Sequence, residues 1–233
     1  MRVNRTSLLS FGFVVLSFIL TAVFYSRLPA AVPTHWNLSG QADGFTSKPW
    51  GPFVLPLVTA GVLLLFLAIP RISPRGFRTE RFARVLEIIQ AATMGFFFLA
   101  TVLALVAGVG GPVPMHRAIP AATGVLLAVI GNFMGKLTKN FFVGIRTPWT
   151  LASDEVWART HRLGGRLFVL AGAVVLVSAL LGGGWAPPLA ALVIAAGVPV
   201  IYSYVIYRRL EGFKDRSDPD GADEQRDLDR GTR

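Results

Sequence analysis

The side chains able to do chemistry are few. The 233 residues hold three histidines, His35, His116 and His161, and no cysteine, which excludes a disulfide scaffold, a thiolate metal site and a cysteine nucleophile. His35, Asp43 and His116 could meet around a metal, but no ligand spacing unites them, and a hydrogen-bonded surface histidine is the favoured reading. No carboxylate pair or nucleophile–base set stands at useful spacing. An enzyme using His35 or His161 as acid or base is therefore the weakest hypothesis, and no cofactor or metal is expected. The remaining polar chemistry is concentrated in two segments, residues 27–50 and 135–166.

Those segments must be positioned by an unusually apolar chain. It is 53% hydrophobic and 15% charged, yet its formal net charge is +10; soluble domains carry about 25% charged residues. Too little polar surface remains for a soluble cationic nucleic-acid binder, so direct nucleic-acid binding is not expected, and the apolar content excludes disorder. The expectation is an all-α polytopic membrane protein whose charge lies at its edges. A span needs about 20 mostly apolar residues. Six stretches qualify: about 6–25, 51–69, 86–109, 119–134, 167–183 and 189–207. The first is longer than the apolar core of a cleaved signal peptide and reads as a retained anchor.

With the N-terminus placed inside, 20 Lys and Arg fall in inner segments, and only Arg27, Lys48 and Arg117 fall outside. The positive-inside rule then predicts that both termini are cytoplasmic. Three units are expected: residues 1–85 with two spans and an outer loop, residues 86–210 with four spans and an inner loop, and an acidic disordered tail at 211–233. The spans carry no Asp, Lys, Arg or His near their centres, which counts against an ion-driven transporter. Glu87, Gln90 and Asn132 lie toward their inner ends. Gly131 and Gly135 read as a close helix crossing.

In the outer loop, Pro29 and Pro33 set an extended approach. Asn37 to Gly40 and Asp43-Gly44 are turn chemistry, and Trp36 and Trp50 suit the headgroup level. The loop is expected to be a compact cap. In the inner loop, Asn140 to Ile145 is apolar and too short to span, which suits the membrane interface. Pro148 pushes Thr147 toward an extended shape, and Trp149 suits headgroup depth. Ser153 is a helix N-cap, followed by Asp154 and Glu155 in the first turn. Glu155 and Arg159 form an i, i+4 pair, and Trp157, His161 and Gly164 share a face. Gly164-Gly165 permits a bend before the fifth span. By itself this is a cationic, tryptophan-bearing platform that membrane lipid would hold.

The run Gly144-Ile145-Arg146-Thr147-Pro148-Trp149-Thr150-Leu151, followed by Ser153, Trp157, Thr160-His161-Arg162 and Gly165, resembles the signature of the bacterial SdpI family of membrane immunity proteins. The outer Pro33-Thr34-His35-Trp36-Asn37, with Gly40, Asp43-Gly44 and Ser47-Lys48, resembles the uncharacterised module usually found before it. Together these cover about residues 1–210. The resemblance implies a multi-pass protein of the bacterial cytoplasmic membrane that protects against a secreted toxic peptide. It also implies retention of a small winged-helix autorepressor at the membrane. It supplies no catalytic or metal residues. The stretch from Arg146 to Arg162 is the expected functional surface, with Asn140, Gly144 and Gly165 grouped with it as candidate interaction residues and Gly164-Gly165 a candidate hinge. The alternative is a transporter or channel for a neutral small molecule, its path lined by Ser, Thr and Asn132.

Overall fold

The computed structural model describes residues 5–74 and 79–212; the expected disordered tail lies outside them, apart from its first two residues. Seven α-helices and one hairpin follow in order: α1 (Arg5–Tyr25), β1 (Ala31–Trp36), β2 (Ala42–Ser47), α2 (Val54–Ile72), α3 (Ala83–Gly108), α4 (Met115–Met134), α5 (Pro148–Ala152), α6 (Asp154–Leu181) and α7 (Ala186–Leu210). A short 3-10 turn, Gly51–Phe53, leads into α2. Six helices are long and apolar enough to cross a membrane, as the sequence predicts.

The bundle is polar where a soluble core would be apolar. Ser7, Ser10, Ser17 and Thr21 of α1, Thr59 of α2, Thr101 of α3 and Ser203 of α7 are buried. Leu8, Leu64, Leu65, Leu170, Val193 and Ile201 are exposed. Small polar residues let helices approach, while large apolar ones face lipid. Lipid offers the buried hydroxyls no water, so Ser10, Ser17, Thr59 and Thr101 bond the carbonyl four residues back.

The tightest crossing joins α4 to α6. A Cβ on Gly131 would lie 2.6 Å from the Gly165 carbonyl oxygen, and one on Gly124 would lie 2.6 Å from that of Gly172. Both pairs are spaced seven residues apart, so the four glycines meet as two contacts along one antiparallel seam. Gly131 is therefore a crossing residue, but its partner position is Gly124 rather than Gly135.

Three expectations are corrected. The chain is not purely helical, because the outer loop folds as an antiparallel hairpin. Asp43 and Gly44 lie within β2 rather than in a turn; Gly44 opposes His35, and a Cβ there would sit 2.8 Å from the His35 Cβ. Gly164-Gly165 does not interrupt the helix: α6 runs unbroken from Asp154 to Leu181, and the two glycines are used for packing, Gly165 against the Gly131 backbone and Gly164 against Ile145.

The crossing gives a differential test. Gly131→Ala sets a methyl against backbone and should lower the thermal unfolding midpoint in detergent, a loss of about 1–3 kcal/mol. Gly12→Ala and Gly61→Ala, where a Cβ meets nothing within 4 Å, should leave the midpoint unchanged or raised. Equal melting of Gly131→Ala and the parent would mean the two backbones are not in contact.

Candidate functional site

The chain between α4 and α6 leaves the helix twice, and side chains of the signature take up the backbone groups this frees. Asn140 is fully buried. Its Nδ2 donates to the carbonyls of Thr138 (2.9 Å) and Val143 (3.0 Å), and its Oδ1 accepts from the N–H groups of Phe142 (2.9 Å) and Val143 (2.7 Å). All four hydrogen bonds open to an amide are therefore made. The segment Asn140 to Ile145 is thus a tight turn around one side chain. Val143 and Ile145 point inward against the cluster of Phe82, Leu86, Ile89, Met134, Leu137 and Trp157, while Phe141 stays exposed.

His161 closes the turn. Its Nε2 accepts from the Ile145 N–H at 2.9 Å, and its Nδ1 lies 2.8 Å from the Trp157 carbonyl. A carbonyl only accepts, so Nδ1 carries the proton and the ring is the neutral tautomer. The ring stacks on Trp157 with centroids 3.9 Å apart, and the Trp157 indole N–H donates to the Leu137 carbonyl at 2.7 Å. Gly144 takes φ +116°, and a Cβ there would collide with His161 Nε2. With both nitrogens bonded to backbone, His161 has none left to move a substrate proton.

Next comes α5, which opens on a hydroxyl network. Thr147 is extended before Pro148, as expected, and its side chain accepts from the Thr150 N–H at 3.2 Å. Thr150 Oγ1 donates to the Ile145 carbonyl at 2.8 Å and accepts from the Thr147 N–H at 2.9 Å. Thr147 Oγ1 also meets Ser203 Oγ of α7 at 2.9 Å, and Trp149 lies edge-on to Tyr204 of α7 with centroids 5.0 Å apart. Ser153 caps α6 by accepting from the Val156 N–H. Glu155 pairs with Arg159, and Lys139 pairs with Asp154 at 2.8 Å.

Of the signature, Asn140, Thr147, Thr150, Ser153, Trp157, Thr160, His161 and Gly165 are buried, while Gly144, Arg146, Pro148 and Arg162 are exposed and Trp149 is half-buried. Most of these residues therefore build the platform, and its surface is carried by a minority. Arg146 lies over the turn, its guanidinium donating to the Phe141 carbonyl.

At the other end of the bundle, Asn37 makes the hairpin turn. Its Oδ1 accepts from the N–H groups of Ser39 and Gln41, and Gly40 takes φ +78°. Gly40 packs on the start of α4, where a Cβ would sit 2.9 Å from the His116 backbone nitrogen. Pro33 pairs with Phe45 across the strands, and His35 Nδ1 bonds Asp43 Oδ1 at 2.5 Å. His116 does not join them: no group of three potential ligands is assembled for a metal among the described residues. Below the hairpin lies an apolar cleft of about 430 Å³, lined chiefly by Trp36, Leu55, Phe96, Phe97, Met115 and Ile119. Sequence reasoning missed the cleft because its walls come from four separate elements.

Residues 136–203 match the SdpI/YfhL protein family, and residues 12–60 match a domain of unknown function (DUF1648). The chain is SdpI-like. Over 210 residues it is 24% identical to a protein named Immunity protein SdpI from Bacillus subtilis (strain 168), which covers 89% of this chain and 99% of that protein. No solved structure matches. The first match spans the whole Asn140–His161 assembly, and the second spans most of α1, the hairpin and the start of α2. Together with the six spans, the similarity makes this a multi-pass membrane protein.

Asn140→Ala in the SdpI-like chain leaves the buried N–H groups of Phe142 and Val143 unpaired, at about 1–3 kcal/mol each. It should expose the loop to proteolysis in detergent at protease levels the parent resists. Trp157→Phe keeps the stack on His161 and loses one hydrogen bond, about 1 kcal/mol, so its loop should be cut more slowly than that of Asn140→Ala. Identical digestion of all three proteins would contradict the role assigned to Asn140.

Proposed function

We propose that the chain is an immunity protein of the bacterial cytoplasmic membrane, giving resistance to a secreted antimicrobial peptide and holding a cytoplasmic winged-helix repressor at the membrane. The observation that carries this reading is the end-to-end similarity to Immunity protein SdpI, which takes in both polar ends of the molecule. The reading is non-enzymatic, in keeping with a His161 whose nitrogens are both committed to backbone.

Both termini are cytoplasmic in this proposal, because 20 of 23 Lys and Arg then lie inside. The hairpin end is extracytoplasmic, and the cleft beneath it suits an apolar peptide arriving from outside. Its walls are aromatic and aliphatic, while His35, Asn37 and His116 supply polar contacts. The signature end faces the cytoplasm, where exposed Arg146 and Arg162 offer cationic contacts to a regulator. Peptide binding moves the regulator equilibrium only if it favours one of two arrangements of the bundle.

Expression in a toxin-sensitive host should raise survival against the cognate secreted peptide, and Phe97→Ala, which opens the cleft wall, should reduce the protection. Survival no better than the empty vector would sink the immunity reading. Orientation is checked by thiol labelling, which no native cysteine confuses. Leu38→Cys, on the exposed hairpin tip, should label in intact cells, and Arg146→Cys only after permeabilisation. Labelling of position 146 from outside would reverse the topology.

A further inference from the structure

A cavity of about 560 Å³ opens at the signature end, between the segment before α3, the turn after α4 and the first turns of α6. Its lining includes Arg81, Lys136, Thr138, Lys139, Asp154 and Trp157. The three cations face one carboxylate, and that carboxylate is taken: Asp154 Oδ1 lies 2.8 Å from Lys139 Nζ. Neither Arg81 nor Lys136 has an ion-pair partner among the described residues. Lys136 Nζ rests 4.9 Å from the centroid of the Phe133 ring, which leaves its N–H donors free of any carboxylate. The turn bearing Lys136 and Thr138 is held in place by the Trp157 indole bond to the Leu137 carbonyl.

We propose that this cavity binds a phosphate-bearing anion, with Arg81 and Lys136 donating to its oxygens. Two uncompensated cations select an anion, and charge-assisted hydrogen bonds are the strong ones. Arg81 carries a planar fork of N–H donors and Lys136 three more, from two stretches of chain, which suits the several oxygens of a phosphate group. The volume exceeds that of a bare phosphate, which leaves room for an organic portion of the ligand. The same chemistry is offered by a small soluble phosphomonoester and by the headgroup of an anionic phospholipid. The site lies at the opposite end of the bundle from the hairpin cleft, and its binding test does not depend on a toxin peptide or a regulator.

The test uses the purified full chain in nanodiscs of phosphatidylcholine alone, titrated with glycerol 3-phosphate by calorimetry. Saturable binding identifies a soluble ligand. No binding there, but selective retention of phosphatidylglycerol from mixed nanodiscs by native mass spectrometry, identifies the lipid headgroup. In whichever arm responds, Arg81→Gln/Lys136→Gln should weaken binding about tenfold or more, as expected for losing two charge-assisted hydrogen bonds. Lys136→Arg should largely retain it. Arg208→Gln/Arg209→Gln removes the same charge from the end of α7 and should leave affinity unchanged. The thermal midpoint of each variant separates a lost ligand from a lost fold. Absence of both soluble binding and lipid selectivity overturns the proposal, and so does equal weakening by the α7 variant.

Discussion

A chain that leaves the helix beside a membrane must find a partner for every N–H and C=O it releases, because water is scarce there and an orphaned group costs several kcal/mol. The connection from Met134 to Asp154 meets this constraint with side chains. Asn140 takes four backbone groups and His161 takes two. Thr150 bridges Ile145 to Thr147, Ser153 caps α6, and the Trp157 indole takes the Leu137 carbonyl. The Asn140, Thr150 and Ser153 bonds are local, but the His161 and Trp157 bonds reach back 16 and 20 residues from α6, so the loop is completed only when α4 and α6 are packed. The α4–α6 glycine seam is what brings His161 within reach of Ile145, since Gly165 follows His161 by one turn and meets the Gly131 backbone.

This explains why a signature reads as a surface motif and folds as a frame. Thr147, Thr150, Trp157, Thr160 and His161 look like polar and aromatic residues available to a partner. In the folded chain they are buried, and the identities of Thr147, Thr150, Trp157 and His161 are demanded by bonds to backbone. Serine for Thr147 would keep the hydroxyl that reaches Ser203, whereas valine would not; only a side chain with an acceptor and a donor on opposite edges can replace His161. What remains for recognition is the exposed minority, Arg146 and Arg162 above all.

Much of this was legible. The spans follow from length and apolarity alone, because the bilayer sets both. The Ser153 cap, the Glu155–Arg159 pair and the Asn37 turn are local, each using residues within four positions, so spacing suffices to find them. What escaped was non-local. The hairpin needs pairing between Ala31–Trp36 and Ala42–Ser47, where Pro33 and Gly44 argue against strands until their opposite residues are known. Gly164-Gly165 reads as a place where a bend is permitted, because the sequence does not show what packs there. In the fold the two residues are the smooth face on which α4 and the Ile145 side chain rest.

The charge of the chain also divides once geometry is available. Most of its 23 Lys and Arg suit a topology signal, and a topology signal requires only sign and side of the membrane. Several do more than that: Lys139 holds Asp154, Arg159 holds Glu155, and Arg146 caps a carbonyl of the turn. A cation engaged in this way contributes little field to a distant ligand, because its partner cancels it. Arg81 and Lys136 have no such ion-pair partner among the described residues and line one concave surface. Orientation in the membrane would be served equally well by arginines anywhere along these loops. Two uncompensated cations converging on one cavity are a more specific arrangement than orientation requires, and that excess is the part of the charge that calls for a ligand.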